Sequence, residues 1–163
     1  MKKMLGIYIH IPFCVRKCKY CDFLSGPAGM DVQKKYVEML LEEIEQYREV
    51  LKNSFTDTIF FGGGTPSILD GEDIVRIMEK LYAAGNISET AEISIEANPG
   101  TVTEEKFLLW KKAGINRISF GLQSADNEEL KRLGRIHTWE EFEENFTKDY
   151  CRYLWDYQHR MLC

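Results

Sequence analysis

The sequence predicts an α/β fold in which about four β/α units follow one another, as either an open doubly wound sheet or a barrel. Short apolar, strand-like runs alternate with amphipathic helices, a pattern typical of a parallel sheet with right-handed crossovers. Three of the predicted strands are apolar on one face only, whereas strands between the two helix layers of a doubly wound sheet are apolar on both. The polar face favours a barrel with a polar interior, although antiparallel strands also alternate.

Each of the first two units consists of a strand followed by a helix. A β-rich run at residues 5–11 precedes a helix that Asp31 is expected to cap, with an apolar stripe formed by Val32, Tyr36, Leu40, Ile44, Tyr47 and Leu51. A short apolar strand at residues 58–61 runs into a run of three glycines. The helix after it spans about residues 71–81 and turns inward Ile74, Ile77, Met78 and Leu81.

The third unit has clear signals at both ends of its helix. Its strand, residues 91–97, leaves through the turn at residues 98–100. Thr103 is expected to cap the next helix, and Val102 and Phe107 are spaced as a hydrophobic staple across that cap.

The fourth unit completes the series and defines the functional edge of the sheet. Its strand covers residues 117–123, and a capping box of Thr138 and Glu141 opens the last helix. Barrel active sites are built at the carboxyl ends of the strands. The polar side chains nearest to those ends are His10, Glu96 and Gln123.

Composition and charge exclude several classes of function. The chain has 163 residues, with 26 acidic and 21 basic side chains, a net charge of −5 and no basic block, so neither a nucleic-acid nor an anionic-membrane partner is expected. No apolar run approaches the length of a membrane span, and the one near the N-terminus is too short for a signal peptide. Five cysteines, an odd number with three of them crowded together, favour a reducing cytoplasm over a disulfide framework.

Cys14, Cys18 and Cys21 form a C-x3-C-x2-C triplet just after the first predicted strand. Thiolates hold iron–sulfur clusters, and a four-iron cluster normally takes four of them, so three would leave one iron open. The alternatives are a zinc knuckle or coincidental core cysteines. Zinc knuckles usually bring paired cysteines, or a histidine, from two places. The triplet therefore favours a cluster with an open iron.

Further candidate residues follow the other strands. The glycines at 62–64 permit close approach of the backbone to a ligand, either through amides that cradle an anion or through carbonyls that accept from an ammonium, or else they form only a tight turn. Glu96 and Gln123 are candidates for gripping nucleoside hydroxyls, with solvated strand ends as the alternative. Arg135 can pair with a carboxylate, unless it and His137 form an exposed pair on a loop.

Five segments together resemble a known family. They read YIHIPFC (8–14), KCKYC (17–21), GGGTPS (62–67), EANP (96–99) and RISFGLQS (117–124). They are similar to the radical S-adenosylmethionine (SAM) superfamily and, more narrowly, to the oxygen-independent coproporphyrinogen III oxidase group with its relatives, the HemW heme chaperones. The resemblance covers about residues 4–146.

The resemblance implies the N-terminal part of a partial (β/α)6 radical SAM barrel that binds a [4Fe-4S] cluster and SAM. It assigns three irons to Cys14, Cys18 and Cys21, and the fourth to the amino and carboxylate groups of SAM. An electron passed through the cluster would cleave SAM to methionine and a 5′-deoxyadenosyl radical, which abstracts a substrate hydrogen. The SAM pocket would comprise Tyr8, Tyr20, Gly63, Gly64, Thr65, Glu96, Gln123 and Arg135.

Phe23 bears on the choice within this group. The oxidases carry a further cysteine two residues after the third cluster ligand, where this chain has Phe23. The resemblance therefore favours a heme chaperone with SAM, heme and an electron-donor protein as partners. The alternatives are an oxidase that decarboxylates a porphyrinogen in heme synthesis, and an inactive fragment that retains only the cysteine loop.

The matched pattern ends near Phe146. We therefore expect residues 1–146 to form an incomplete radical SAM core and residues 147–163, with Cys151 and Cys163, to form a divergent C-terminal tail. Four strands cannot close the expected six-strand partial barrel. The fourth strand would keep an unpaired edge, which is an aggregation hazard, so we expect a chain that is marginally stable or needs a partner.

Overall fold

The computed structural model of the chain describes residues 3–147 and contains one sheet of parallel strands. Its four strands are β1 (Lys3–Ile11), β2 (Ser54–Gly63), β3 (Ile87–Ala97) and β4 (Arg117–Phe120). They lie side by side in chain order, and every neighbouring pair is parallel. A doubly wound sheet reverses its strand order at a switch point. The uninterrupted order is that of a barrel segment, which confirms the predicted fold class.

Helices connect the strands and cover the apolar face of the sheet. The helices are α1 (Met30–Gln46), α2 (Arg48–Asn53), α3 (Gly71–Ala84), α4 (Glu104–Lys112), α5 (Asn127–Leu133) and α6 (Trp139–Thr147), with a 3-10 turn at Pro66–Ile68. Helix α3 packs between α1 and α4. A layer of helices therefore lies over the sheet, with the hydrophobic core between them.

The core consists of the inward faces that the sequence predicts. The sheet contributes Ile9, Ile11, Ile59, Phe61, Ile93 and Ile95, all buried. All four inward residues predicted for α3 are also buried, and burial of an aliphatic side chain of this size contributes about 1.5–3 kcal/mol. The opposite face carries Tyr8 and His10, which are exposed or half-buried. Ser94 on that face is an exception, since it is buried beneath Arg117, which bonds both Ser94 and Glu92.

The predicted start of the first helix was wrong. Helix α1 begins at Met30 after Gly29, no side chain caps it, and Asp31 lies inside its first turn. At that position the negative charge of the Asp31 carboxylate interacts favourably with the positive end of the helix dipole, but the side chain does not cap the helix. The predicted stripe was also partly wrong, because Val32 is exposed while Val37 and Ile44 are the buried residues of α1.

The two predicted threonine caps are confirmed, whereas the predicted end of β4 was wrong. Thr103 and Thr138 accept from Lys106 N and Glu141 N as expected. Strand β4 ends at Phe120 rather than at residue 123, and Gln123 has φ 71°, which an extended strand cannot accommodate. Helix α5 was missed, although Asp126 caps it by accepting from two backbone amides.

The expected C-terminal tail lies outside the described residues, apart from Thr147 at the end of α6. Cys151 and Cys163 lie in that part of the chain. Within residues 3–147, β1 and β4 form the two edges of the sheet. None of the helices in this described part is both long enough and apolar enough to cross a membrane.

Candidate functional site

The three cysteines lie on a loop, residues 12–26, that leaves the carboxyl end of β1; we call it the cysteine loop. Its base is closed by two backbone hydrogen bonds, from Cys14 N to Gly26 O at 2.9 Å and from Gly26 N to Pro12 O at 3.1 Å. Within the loop, Cys21 N donates a hydrogen bond to Cys18 O across a turn. The thiols are free and half-buried. Within residues 3–147, no three His, Cys, Asp or Glu side chains converge into a ready-made metal-ion site.

Residues 62–65, the glycine loop, lie directly against the cysteine loop. Gly64 N donates to Ile11 O at 2.8 Å and Thr65 N donates to Phe13 O at 2.7 Å. A Cβ on Gly64 would lie 2.5 Å from Phe13 O and 3.0 Å from Cys14 Sγ. Only glycine therefore allows the two loops to approach this closely.

The glycine loop does not form the anion cradle that the sequence suggested. Gly64 N donates to the end of β1, Thr65 N donates to the cysteine loop, and Gly63 N donates to Glu96 Oε2 at 3.3 Å. The other interpretation, in which carbonyls accept from an ammonium, is not affected. Gly63 has φ 112°, and a Cβ there would meet the His10 ring at 2.6 Å. The loop is therefore built for close contact with the neighbouring elements.

Glu96 is the last residue but one of β3 and lies on the polar face of the sheet, close enough to Tyr8 for its charge to act on the phenol. Burial raises the pKa of the Glu96 carboxyl, and the Gly63 N–H opposes that rise. Tyr8 stacks on Phe60 with 5.9 Å between ring centroids. Burial and then the charge of Glu96 raise the pKa of the Tyr8 phenol. The structure thus brings Tyr8, Gly63 and Glu96 together, with the carboxylate available as an acceptor for hydroxyl or ammonium groups.

Arg135 joins the end of α5 to the cysteine loop. Its Nη2 donates to Asn98 Oδ1 and to Gly121 O, each at 2.5 Å, and its Nη1 donates to Cys18 Sγ at 3.4 Å. The buried Nε has no hydrogen-bond partner among the described residues. An acidic ligand would satisfy it. The alternative of an exposed loop arginine is wrong, because the side chain is half-buried.

His137 is buried, with 5% of its surface exposed, so the alternative of an exposed loop residue is wrong for His137 as well. Its Nε2 lies 3.1 Å from Leu122 O, which fits an Nε2–H donor. This contact holds the peptide just before Gln123. Gln123 is itself exposed and has the only positive φ of a non-glycine residue in the described part of the chain. Such strain costs about 1–3 kcal/mol and concentrates at functional sites.

Tyr20 lies on the cysteine loop next to Cys18 and Arg135, and is half-exposed. Burial raises the pKa of its phenol, while the Arg135 charge lowers it. A cleft at this edge is lined in part by Cys18, Thr65, Asn98 and Arg135. The structure therefore gathers one set of predicted residues around this cleft and a second set around Glu96.

Asn98 is the residue of this site that sequence reasoning missed. It lies in the predicted exit turn after β3 and in the EANP segment, and neither feature assigns it a contact in the site. Its side chain contacts both Thr65 and Arg135. The available signal was its place immediately after a strand, at the edge of the sheet where barrel sites are built.

Comparison with known proteins identifies a family over most of the chain. The sequence pattern of the radical SAM superfamily matches residues 8–148. Heme chaperone HemW of Escherichia coli (strain K12) is 46% identical over 134 residues, which cover 82% of this chain and 35% of that protein. Heme chaperone HemW of Bacillus subtilis (strain 168) is 37% identical over 139 residues, 82% of this chain and 36% of that protein.

A solved structure has the same fold. The coproporphyrinogen III oxidase HemN of Escherichia coli, described as a radical SAM enzyme, superposes with a TM-score of 0.84 and 25% sequence identity over 94% of this chain. The match takes in 35% of the HemN chain. This chain therefore spans about a third of the length of the proteins that it resembles.

Gly64→Ala is expected to force the glycine and cysteine loops apart. The new Cβ would overlap backbone atoms that cannot move aside, so we expect a loss of about 1–3 kcal/mol in the free energy of unfolding. Urea unfolding measures this loss. Gly26→Ala is the control, because nothing lies within 4 Å of its Cβ position. Equal stability of the two variants would contradict the close approach.

Protonation of His137 is expected to weaken the fold. Burial, and then the Arg135 charge, lower the pKa of His137 below its ordinary value of about 6.5. The unfolded chain then binds the proton more readily, so the free energy of unfolding falls as the pH drops through that value. Urea unfolding between about pH 8 and about pH 5 should show this fall for the wild type relative to His137→Gln. A difference independent of pH would contradict the burial of a neutral imidazole.

Proposed function

The chain belongs to the radical SAM superfamily, and we propose that it binds a [4Fe-4S] cluster and SAM at this edge of the sheet and acts as a HemW-like heme chaperone. The observation that carries the proposal is the packing of the three-thiol loop against the glycine loop, with Thr65 and Arg135 donating to two of the thiols. The identity to HemW chaperones supports the choice of function.

The donor set fits an iron–sulfur cluster. Cys14, Cys18 and Cys21 would hold it as thiolates, and three such ligands leave one iron for a further group. The Thr65 hydroxyl and the Arg135 guanidinium would stabilise the negative charge on Cys14 and Cys18. When bound, the cluster would supply the electron for the reductive cleavage of SAM.

The surrounding groups fit the charged ends of SAM. The unpartnered Nε of Arg135 would bind a carboxylate, and Glu96 would accept from an ammonium or from ribose hydroxyls. We assign the rest of the pocket to Tyr8, Tyr20, Gly63, Gly64, Thr65 and Gln123. We also propose that residues 1–146 form the incomplete core of a cytoplasmic protein that takes its electron from a donor protein.

Phe23 favours heme delivery over porphyrinogen oxidation. It occupies the position of the further cysteine of the oxidases, and 59% of its surface is exposed. Its carbonyl accepts from Lys17 Nζ at 2.9 Å, which fixes the backbone at this end of the cysteine loop. The likeness to HemN supports coproporphyrinogen III oxidase as the second candidate. In that case the protein would be a SAM-dependent oxidoreductase, and an inactive fragment is the third alternative.

Anaerobic reconstitution with iron and sulfide tests the cluster. The wild type should bind about four irons per chain, with broad visible absorption, and should then cleave SAM under reduction. Cys14→Ser, Cys18→Ser and Cys21→Ser should each lose the cluster, whereas Cys151→Ser and Cys163→Ser should retain it. A site that takes only zinc after anoxic purification would contradict every cluster proposal.

Ligand discrimination tests the chaperone. Because Phe23 replaces the extra cysteine, the reconstituted protein should bind heme and leave coproporphyrinogen undecarboxylated. Heme titration by absorbance and product analysis by chromatography measure the two outcomes. Decarboxylation of coproporphyrinogen would select the oxidase instead, and absence of heme binding, SAM cleavage and decarboxylation would select the inactive fragment.

A further inference from the structure

We propose that Asn98 is a positioning residue that joins the glycine loop to the cysteine loop through Thr65 and Arg135, and thereby orients the hydrogen bonds received by Cys14 and Cys18. Asn98 directly follows β3. The ordering of the two loops by Asn98 is independent of any bound group. The consequence for a bound cluster rests on the proposed function.

One branch of this connection runs through Thr65 to Cys14. Asn98 Nδ2 donates to Thr65 Oγ1 at 2.9 Å, and the Thr65 hydroxyl donates to Cys14 Sγ at 3.5 Å. A hydroxyl has one proton to donate. Because the Asn98 amide occupies an acceptor position of the hydroxyl, the Thr65 proton is directed to the sulfur. Thr65 is buried, with 3% of its surface exposed, so water does not compete for this orientation.

The other branch runs through Arg135 to Cys18. Asn98 Oδ1 accepts from Arg135 Nη2 at 2.5 Å, while Nη1 of the same guanidinium donates to Cys18 Sγ at 3.4 Å. A guanidinium is planar and rigid, so fixing one of its N–H groups also fixes the other. The Asn98 carboxamide therefore controls a donor to each of two thiols, using opposite ends of its side chain.

The Asn98 backbone is anchored on the side away from the thiols. Its N–H donates to the buried Ser67 Oγ at 3.2 Å, and its carbonyl accepts from Thr101 Oγ1 at 2.6 Å. Gly121 keeps the space for the side chain, since a Cβ there would lie 2.6 Å from Asn98 Oδ1. These contacts hold the carboxamide in place before any ligand arrives, which is a requirement for positioning.

A redox consequence follows for a bound cluster. One-electron reduction increases the negative charge on the cluster and its thiolates, and hydrogen bonds to the sulfurs stabilise that charge. Loss of Asn98 would release the Thr65 donor and leave Nη2 of the Arg135 guanidinium held by Gly121 O alone, so reduction would become harder. A single hydrogen bond corresponds to a factor of roughly two to ten in an equilibrium constant.

Hydrogen exchange of the cluster-free protein tests the ordering of the loops. Asn98→Leu and the smaller, turn-compatible Asn98→Ser should speed amide exchange in the cysteine loop, including Lys19 N, which donates to Leu133 O beside Arg135. Asn116→Leu is the control, because Asn116 also bridges two backbone groups, Ala91 O and Ile93 N, but at the start of β4. Unchanged exchange in both Asn98 variants, or equal acceleration in the control, would overturn the proposal.

A potentiometric titration of the reconstituted protein, reduced by dithionite and followed by electron paramagnetic resonance, tests the redox consequence. At a fixed potential, Asn98→Ser with full iron content should show a ratio of reduced to oxidised cluster lower than wild type by roughly two- to tenfold. The effect should shrink in a Thr65→Val background, since Asn98 acts partly through Thr65. An unchanged ratio of reduced to oxidised cluster in Asn98→Ser would overturn the redox consequence. An equal effect in the wild-type and Thr65→Val backgrounds would overturn the connection through Thr65.

The two experiments separate this inference from the proposed function. Failure of the wild type to assemble a cluster would overturn the proposed function, while hydrogen exchange would still decide whether Asn98 orders the two loops. A wild type that assembles a cluster and Asn98 variants with unchanged exchange would overturn the inference alone.

Discussion

The site depends on hydrogen bonds that continue the β1–β2 pairing beyond the ends of both strands. Gly64 and Thr65 donate to Ile11 O and Phe13 O, and this places the glycine loop in contact with the base of the cysteine loop. A parallel sheet delivers the ends of all its strands to one edge. This additional pairing determines which residues each thiol contacts. It requires glycine at position 64, because any Cβ there would overlap Phe13 O.

Several groups around this edge are not arranged for stability. Arg135 Nε and His137 Nδ1 are buried without a partner among the described residues, Gln123 has a positive φ, and burial raises the pKa of Glu96. Unsatisfied and strained groups each cost free energy. Two of the four buried side-chain atoms without a partner among the described residues therefore lie where strand ends meet, together with Gln123 and Glu96, while the other two, Thr56 Oγ1 and Trp110 Nε1, lie elsewhere.

The sequence predicts most of the helices and strands and the position of the three-thiol loop, but not the contacts between the loops at this edge. Period and caps locate α3, α4 and α6, and the cysteine spacing identifies the loop after β1. The start of α1 after an uncapped Gly29, the early end of β4 and the contacts of Asn98 with Thr65 and Arg135 are not encoded in any local pattern. For the same reason the glycine spacing could not decide between a ligand cradle and a tight turn, because the partners of the Gly64 and Thr65 amides lie about fifty residues away in the chain.

Electron paramagnetic resonance of the reduced, reconstituted protein before and after addition of SAM tests whether the cluster and SAM bind together at this edge of the sheet. We expect a cluster signal that changes when SAM binds, because three thiolates leave one iron accessible, and we expect Arg135→Ala to weaken this response. A cluster signal that is indifferent to saturating SAM would contradict the claim that this edge of the sheet is a joint site for both.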